Sequence, residues 1–290
     1  MTNPLHAKFY ADRAVQRSAE IIENVQLARD TFRVRLQCPE IAQCITPGQF
    51  VMLRLPHCND PLIGRPLALY DVVFGPSGDP SAVDVVYLVK GKFTTRLVQL
   101  TAGKQVDLWG PLGNGFVPRE TAHLIMVAGG IGQTPFLALA QECFGHRRYG
   151  NPAREGARTS RVTLCYGART AAYLAGVDDF SRLGVAVQIA TDDGSRGHHG
   201  YVSELLEQLL VEPQPDRRIV CCGPEPMMAA VARIAARRQT PCEVSLETPM
   251  ACGVGICFTC VAPIRDESGQ WDYKRTCVEG PVFDASLIEW

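Results

Sequence analysis

Four cysteines near the C-terminal end of the chain have a spacing that few kinds of site can use. Cys252, Cys257 and Cys260 form the pattern C-x4-C-x2-C, and Cys277 follows after 16 intervening residues. This is the ligand spacing of a plant-type two-iron two-sulfur cluster. Glycines between the first cysteines would let the loop backbone approach the cluster closely. The pattern therefore predicts an iron–sulfur site that transfers single electrons.

Two other interpretations of these cysteines remain open. A structural zinc ion also takes four cysteine ligands, although zinc sites usually contain two C-x2-C pairs and this segment has one. Unrelated buried thiols are the second alternative. A predicted turn over residues 266–270 joins two predicted strands, Thr259–Arg265 and Trp271–Thr276. This hairpin would carry Cys277 back to the cysteine loop.

The composition is that of an ordinary globular protein with more than one domain. The chain has 290 residues, of which 46% are hydrophobic and 20% are charged. This length is too great for a single small hydrophobic core and predicts two or three domains. Its formal net charge of −1 offers no basic excess for nucleic acid or an anionic membrane. The first residues lack an apolar signal segment, and no apolar stretch reaches about 18 residues. We expect a cytoplasmic protein with reduced thiols and no membrane or nucleic-acid partner.

Residues 14–115 have the pattern of a small antiparallel β-barrel. Short runs rich in Val, Ile and Leu are separated by turns that contain Gly and Pro, as in barrels built from many short strands. A short helix is predicted over Phe93–Leu100. The predicted strands are Ala19–Leu27, Thr31–Cys38, Phe50–Leu55, Ala68–Val73 and Val83–Val89.

Residues 116–240 alternate between apolar strands and helical segments, which predicts a parallel sheet covered by helices. The polar segment Arg147–Ser160 is predicted to be a mobile surface loop. Residues 241–290 are predicted to form a third, small, cysteine-bearing domain, so the chain as a whole is a multidomain α/β and β protein. The strands expected in the sheet are Leu124–Ala128, Arg161–Tyr166, Val185–Ala190 and Arg218–Cys222, and the helices are Pro135–Phe144, Val202–Leu210 and Pro226–Arg238.

Two loops in the α/β region are candidates for a dinucleotide site. Gly129, Gly130 and Gly132 follow one predicted strand and precede a helix that Thr134 could cap. A proline stands where the usual G-x-G-x-x-G motif has its third glycine, so an ordinary strand–helix turn would also explain this loop. A second loop, Cys222–Gly223–Pro224, again joins a strand to a helix. Because ligands bind at the carboxyl ends of parallel strands, the two loops could hold a dinucleotide between them.

The choice between NADH and NADPH depends on a third loop. The predicted strand Val185–Ala190 is followed by Thr191, Asp192 and Asp193. If the adenosine ribose lies here, carboxylates would accept its hydroxyls and disfavour a 2′-phosphate, which predicts NADH. A turn built from Asp and Gly is the alternative interpretation of the same residues.

A flavin is expected in the barrel, because a nicotinamide gives a hydride and a two-iron cluster takes one electron at a time. A flavin converts between the two, since it is stable in one- and two-electron states. Arg65 could pair with a flavin phosphate, and Pro66, Leu67 and Ala68 would run along the ring. The segment Lys90–Thr95 precedes a short helix whose N-terminus could receive the pyrophosphate.

Together these motifs are similar to those of one family. The domain order, the Arg65–Ala68 motif, Gly110–Phe116, the Gly129–Pro135 loop, Cys222–Pro224 and the final cysteines resemble the electron-transfer subunits of class 1B dihydroorotate dehydrogenases, within the ferredoxin–NADP reductase superfamily. The resemblance covers about residues 15–285. It implies FAD on the barrel, NAD(H) on the α/β domain, and a cluster at the interface with a partner.

The resemblance also implies which residues contact FAD, and it shows two departures. The family usually has Ser or Thr at the position of Ala68, and Gly-Thr at the position of Phe93–Thr94, so the flavin environment is expected to differ at both places. The implied FAD contacts are Arg65, Pro66, Leu67, Ala68, Val86, Tyr87, Leu88, Phe93 and Thr94.

The implied function is electron transfer in pyrimidine biosynthesis. Electrons from dihydroorotate would reach FMN in a separate catalytic subunit, pass through the cluster to FAD, and reduce NAD+. The resemblance implies a heterotetramer of two plus two subunits. One alternative is the small subunit of an NADH-dependent ferredoxin:NADP or sulfide reductase, in which an Asp often replaces one cluster cysteine. An alternative of another class is a zinc- or nucleotide-binding redox sensor without enzymatic activity.

Overall fold

The first part of the chain forms a closed six-stranded barrel. The computed structural model describes residues 11–212, 214, 216–266 and 268–290; residues 1–10 and residue 267 of the predicted turn lie outside this range. The barrel has the strand order β1-β2-β5-β4-β3-β6, and every neighbouring pair is antiparallel. Its strands are β1 (Val15–Ala28), β2 (Thr31–Gln37), β3 (Phe50–Arg54), β4 (Arg65–Phe74), β5 (Pro80–Leu88) and β6 (Gln105–Leu112).

Alternation along the strands builds the core of the barrel. In β2, Val34 and Leu36 are fully buried, whereas the intervening Arg33 and Arg35 are partly exposed. Such alternation places one face of each strand inside the barrel, where each buried aliphatic side chain contributes about 1.5–3 kcal/mol. The barrel also includes two short helices, α1 (Pro39–Cys44) and α2 (Lys92–Leu97).

The second part of the chain forms a seven-stranded sheet with the order β10-β9-β8-β7-β11-β12-β15. The neighbours from β10 to β12 are parallel, and β15 is antiparallel to β12. Four helices accompany the sheet: α3 (Phe136–Cys143), α4 (Val177–Arg182), α5 (Val202–Leu209) and α6 (Glu225–Arg237). The strands are β7 (Thr121–Gly129), β8 (Thr159–Ala168), β9 (Ala186–Thr191), β10 (His198–His199), β11 (Arg217–Cys222), β12 (Cys242–Ser245) and β15 (Val282–Asp284). The fold class predicted from the sequence is confirmed.

The sheet continues beyond residue 240, where the sequence predicted the end of the α/β domain. Strand β12 lies beside β11, and β15 returns from the C-terminal segment to pair with β12. Between them stand the cysteine loop and a hairpin of β13 (Val261–Arg265) and β14 (Trp271–Arg275). The cysteine-bearing segment is thus an excursion from an edge of the large sheet, because its two ends are both strands of that sheet.

The segment Arg147–Ser160 lies largely at the surface, as predicted, and three of its side chains attach it to the rest of the protein; its mobility stays a prediction. The Arg147 guanidinium lies 2.9 Å from a carboxylate oxygen of Asp71 in the barrel, and the buried Tyr149 donates a hydrogen bond to the same carboxylate at 3.1 Å. Arg154 makes two hydrogen bonds of 2.7 Å with the buried Glu142. Its arginines therefore join the barrel to the α/β part, a role that composition does not reveal.

Candidate functional site

The four cysteines of the C-terminal pattern meet in space as two pairs. Hydrogen bonds from the Thr259 hydroxyl and from the Cys252 thiol lower the pKa of Cys257 to about 6. Cys260 and Cys277 interact as well, and their interaction lowers the pKa of Cys260 to about 6 and raises that of Cys277. The charge of Cys252 also acts on Cys277, so the two pairs are neighbours.

The cysteine loop is seated against the barrel. Gly253 has a φ of 74°, and a Cβ there would lie 2.7 Å from Met52 of β3 and 2.9 Å from Leu112 of β6. The indole N–H of Trp109 donates a hydrogen bond of 2.9 Å to the Cys252 carbonyl. The loop path therefore requires a glycine at this position, and it holds the cysteines directly beside strands β3 and β6.

This donor set fits a two-iron cluster. Four thiolates are the ligands of such a cluster, and each iron takes two of them, as two neighbouring pairs provide. Among the residues that the structure describes, no three His, Cys, Asp or Glu side chains are grouped as ligands of a single metal ion would be. The C-x4-C-x2-C spacing with a later fourth cysteine, which differs from the two C-x2-C pairs usual at zinc sites, favours the cluster.

The two glycine loops of the α/β part are in direct contact at the carboxyl edge of the sheet. A Cβ on Gly132 would lie 2.2 Å from the carbonyl oxygen of Cys222, and one on Gly223 would lie 2.9 Å from the backbone nitrogen of Gly129. A Cβ on Gly129 would likewise lie 2.8 Å from the ring of Pro224. The structure thus brings together the two loops that the sequence proposed for one dinucleotide.

The predicted helix cap at Thr134 was wrong. A 3-10 turn over Gly130–Gln133 lies between β7 and α3, and the Thr134 backbone N–H donates to the Ile131 carbonyl at 3.1 Å. Helix α3 begins later, with Pro135 at its N-cap and no side-chain hydrogen bond there. The adjacent Gln133 is fully buried, and neither polar atom of its amide has a partner among the described residues.

Asp192 lies at the same edge of the sheet, directly after β9. Its backbone N–H donates to the Ala168 carbonyl at the end of β8, and its side chain is exposed. Asp193 instead accepts hydrogen bonds from the Ser195 hydroxyl and backbone N–H at 2.6 and 3.0 Å, which lower its pKa. The two predicted carboxylates therefore differ, since Asp193 stabilises the turn and Asp192 faces solvent.

The Arg65 motif forms the start of β4 on an accessible part of the barrel. Arg65 is exposed, with hydrogen bonds from its guanidinium to the Ile63 and Gly64 carbonyls at 2.9 and 3.0 Å. Pro66, Leu67 and Ala68 are half-buried. A ligand that lies along this strand can therefore reach all four residues.

Other predicted flavin contacts have enclosed side chains. Tyr87 and Phe93 are each 1% exposed within the barrel core, and the Tyr87 hydroxyl donates to Asn24 at 2.9 Å. Val86 is 2% exposed because alternation along β5 turns it toward the core of the α/β part. These three positions can offer a ligand little beyond their backbone.

The two remaining predicted positions are more accessible. Leu88, at the end of β5, and Thr94 are both half-buried. The Thr94 hydroxyl accepts hydrogen bonds from the Lys90 and Gly91 N–H groups at 2.9 and 3.2 Å, which fixes the turn before α2. Thr94 thus shapes the turn that the sequence proposed for the pyrophosphate.

Glu247 is a residue at the site that the sequence did not reveal. It lies between β12 and the cysteine loop, and one carboxylate oxygen is 3.8 Å from the Cys222 sulfur. Although the side chain reaches solvent, surrounding protein atoms raise its pKa, while the thiol of Cys222 and the positive charge of Lys90 on the barrel act in the opposite direction. Glu247 therefore stands where the glycine loops, the barrel and the cysteine loop meet.

Three family models match successive parts of the chain. The FAD-binding domain of oxidoreductases matches residues 18–116, and the NAD-binding domain of oxidoreductases matches residues 126–233. The iron–sulfur cluster binding domain of dihydroorotate dehydrogenase B matches residues 247–289. A dihydroorotate dehydrogenase B (NAD+) electron transfer subunit from Desulforamulus reducens is 36% identical over 273 residues, which cover 94% of this chain and 97% of that protein.

This chain belongs to the family of dihydroorotate dehydrogenase B electron transfer subunits. A second member of the family, from Shouchella clausii, is 34% identical over 281 residues, which cover 95% of this chain and 99% of that protein. The chain is accordingly an oxidoreductase subunit with FAD-binding, NAD-binding and iron–sulfur domains, as the sequence predicted. No helix in the described part of the chain is long and apolar enough to cross a membrane.

Solved structures show where this family stands among flavoproteins. The structure of an NADH-dependent reduced ferredoxin-NADP oxidoreductase is similar with a TM-score of 0.77 and 29% identity, covering 94% of this chain and 90% of that one. Phthalate dioxygenase reductase is similar with a TM-score of 0.57 and 18% identity, covering 91% and 94% of the two chains. The second likeness concerns the fold alone.

Proposed function

We propose that this subunit carries electrons from a dihydroorotate-oxidising FMN subunit to NAD+ in pyrimidine biosynthesis, through its cluster and then its FAD. The observation that supports this most is the seating of the cysteine loop on the flavin barrel through Trp109 and Gly253. None of the twelve cysteines, all of which the structure describes, forms a disulfide, as expected of a protein that works in the cytoplasm. Family membership supports the identity of the electron donor.

The residues of the chain have separate roles in this proposal. Bound FAD supplies the conversion between hydride and single-electron transfer. Arg65 pairs with a flavin phosphate, the strand from Pro66 to Ala68 lies along the ring, and Thr94 shapes the turn that receives the pyrophosphate. Cys252, Cys257, Cys260 and Cys277 hold the cluster.

The carboxyl edge of the α/β sheet holds NAD(H) in the same proposal. The loop of Gly129, Gly130 and Gly132 receives the pyrophosphate: Gly129 and Gly132 let the two loops touch, and Gly130 has open space beside its backbone. Cys222 and Gly223 lie beside the nicotinamide, and Glu247 borders the same cleft. The exposed carboxylate of Asp192 accepts the ribose hydroxyls and favours NADH over NADPH.

The partner subunit docks around the exposed cluster ligand Cys257. Its neighbours Ile256 and Phe258 are large apolar side chains that are 72% and 56% exposed. Leu62 and Ile63 are also exposed. They precede Gly64, which packs against the ring of Trp109, and the Trp109 indole N–H donates a hydrogen bond to the Cys252 carbonyl. These side chains form an apolar surface on both sides of the cluster, as interface centres usually do. We expect a heterotetramer of two plus two subunits.

A second candidate function is supported by a specific likeness. The NADH-dependent ferredoxin-NADP oxidoreductase matches almost the whole chain in structure. A role as the small subunit of such an enzyme would retain the cluster, FAD and NAD(H) sites and would differ in the partner. The four cysteines favour the dihydroorotate pathway, because an Asp often replaces one cluster cysteine in those reductases.

Purification of the complex from its native host tests the proposed function. We expect an FMN-containing partner to co-purify and the complex to reduce NAD+ with dihydroorotate, faster than NADP+. A complex that reduces neither nucleotide with dihydroorotate, but oxidises ferredoxin, would establish the second candidate instead.

The docking surface has a matched test in the same complex. Phe258→Asp should release the partner, whereas Val211→Asp, at a similarly exposed apolar residue far from the cysteines, should retain it. Retention of the partner by Phe258→Asp with full activity would contradict the proposed interface.

A further inference from the structure

A cavity lined by arginines lies at the edge of the α/β sheet opposite the glycine loops. It has a volume of about 740 Å³ and opens between the first residues of β7 and β11 and the last residues of α5 and α6. Small-molecule sites typically have volumes of about 300–1,000 Å³. Since β11 runs from Arg217 at this cavity to Cys222 at the other edge, about 17 Å separate it from the nucleotide loops. Its arginines are Arg119, Arg217, Arg218, Arg237 and Arg238.

Two of these arginines have carboxylate partners. Arg218 donates to Glu243 at 2.6 Å, and Arg237 lies 2.6 Å from Glu207. Within the described ranges, no carboxylate lies within 4.0 Å of the other three guanidiniums. The positive charge of the cavity is therefore only partly balanced by ion pairs.

Other negative charges at the cavity are too few to complete the balance. Asp216 lines the cavity and accepts a hydrogen bond from the Ala122 backbone N–H at 2.6 Å. The C-terminal ends of α5 and α6 each act as about half a negative charge. With Glu212, whose charge acts on Arg217, these offset about three positive charges, and Arg161, which acts on the same guanidinium, leaves a positive excess of about one.

Arg217 is the most constrained member of this group. Arg217 is only 9% exposed. Its Nη1 donates a hydrogen bond to the Glu212 carbonyl at 2.8 Å, and its Nε has no hydrogen-bond partner in the described part of the chain. Burial and the charge of nearby Arg161 lower the pKa of Arg217. Burial, with the charges of these two arginines, also lowers the pKa of His123 to about 4. Although Glu212 supplies a nearby negative charge, the unpartnered Nε of a nearly buried guanidinium is unfavourable, which indicates that a ligand supplies an acceptor there.

We propose that this cavity binds the phosphate group of a small phosphate monoester, at a site separate from those of FAD and NAD(H). Guanidinium groups bind phosphate oxygens through paired, charge-assisted hydrogen bonds. Arg217 supplies the buried contact, and Arg119 and Arg238 complete it from the rim. The remaining volume accommodates the organic part of a molecule the size of a nucleoside monophosphate.

Calorimetry on the complete protein with its cofactors tests this site. Saturating NAD+ first fills the nucleotide edge, and the protein is then titrated at constant ionic strength with inorganic phosphate, a nucleoside 5′-monophosphate, or the parent nucleoside. Saturable binding of both phosphate-bearing probes, without binding of the nucleoside, supports the site. Tighter binding of the monophosphate than of phosphate would identify a nucleotide site, and equal affinity a phosphate site. Absence of saturable binding by both probes would overturn the proposal.

Three variants assign the binding to the cavity. Arg217→Gln and Arg238→Gln should weaken binding at least tenfold, while Arg233→Gln, on an exposed position of α6 outside the cavity, should bind as the wild type does. If the Arg217 variant does not fold, the Arg238 variant alone shows whether the anion binds in this cavity. Equal affinity in Arg238→Gln and wild type would place the anion elsewhere and contradict the proposal.

Discussion

At the scale of single residues, the nucleotide edge depends on glycines that no other residue can replace. Gly132 shows this most directly, because the space that a side chain would need is filled by the backbone of Cys222. The sequence identified this glycine from its motif, but the reason for it lies in a loop 90 residues later. Its importance is therefore a property of the folded chain.

Substitution Gly132→Ala tests that close approach. The new Cβ would lie 2.2 Å from the Cys222 carbonyl oxygen, so the two loops must separate. We expect a loss of about 1–3 kcal/mol in unfolding free energy and a higher KM for NADH. Gly75→Ala is the control, because Gly75, like Gly132, lies outside the positive-φ region, and a Cβ there would make only ordinary contacts, the nearest at 3.6 Å. An unchanged KM in Gly132→Ala would contradict the proposed nucleotide edge.

Glu247 provides a prediction on pH dependence. Burial raises its pKa in the folded protein above the ordinary value of 4.5, so the stability linked to its proton is fully present below that value. This stability is lost as the pH rises through the raised pKa. Glu247→Gln stays neutral and should melt at a higher temperature than wild type at pH 8, with a smaller difference near pH 4.5.

Differential scanning fluorimetry across this pH range provides the measurement. Glu155→Gln, at an exposed position away from the site, is the control and should show a constant difference. If the difference between Glu247→Gln and wild type does not grow with pH, the carboxylate is not held in a crowded cleft.

At the scale of elements, strands and helices followed from local patterns, and their partners did not. The strands β7, β8 and β11 each contain a short, mainly apolar run, as buried parallel strands require, and the sequence predicted all three. Strands β12 and β15 are short, and their place in the sheet depends on a return of the chain after the hairpin. No local signal marks such a return.

The flavin side illustrates the same limit. The Arg65 motif was found on an accessible strand, as expected, but Tyr87 and Phe93 proved to be core residues of the barrel. A resemblance identifies positions near a cofactor, whereas the alternation of a strand decides whether a side chain or only its backbone faces outward.

The buried carboxylate of Asp84 tests the pairing of β2 with β5. It is 3% exposed and accepts two hydrogen bonds of 2.8 Å from Arg35. Asp84→Asn removes the negative charge of this pair, but the partly exposed Arg35 keeps Glu23 at 3.3 Å, so the unfolding free energy should fall by about 1.5–3 kcal/mol in urea denaturation. The exposed pair Arg17–Glu40 is the control, and Glu40→Gln should cost under about 1 kcal/mol. Similar losses in both variants would refute this difference.

At the scale of the whole molecule, the barrel, the sheet and the cysteine loop meet at one place. Tyr70 of the barrel donates a hydrogen bond of 2.7 Å to Asp179 of α4, and Asn114 after β6 donates to the Val282 carbonyl at 2.8 Å. Trp109 then joins the barrel to the cysteine loop. These contacts fix the relative positions that electron transfer between three cofactors requires.

Trp109→Phe tests the contact that seats the cysteine loop. The variant loses the hydrogen bond to the Cys252 carbonyl, which is worth about 0.5–1.5 kcal/mol. We expect cluster absorbance in a chelator to decay about 2–10 times faster than in wild type. Trp271→Phe, at an exposed tryptophan on the hairpin, should decay at the wild-type rate. Equal decay in the two variants would show that Trp109 does not hold the loop.

The central claim is that a cluster on the four cysteines exchanges electrons with FAD, which in turn reduces NAD+. Its most direct test is to reduce the complete subunit with dithionite, remove the excess reductant without oxygen, and add NAD+. The electron paramagnetic resonance signal of the cluster and the reduced flavin should disappear together as NADH forms. NADH formation from the flavin alone, with the cluster signal unchanged, would contradict the account.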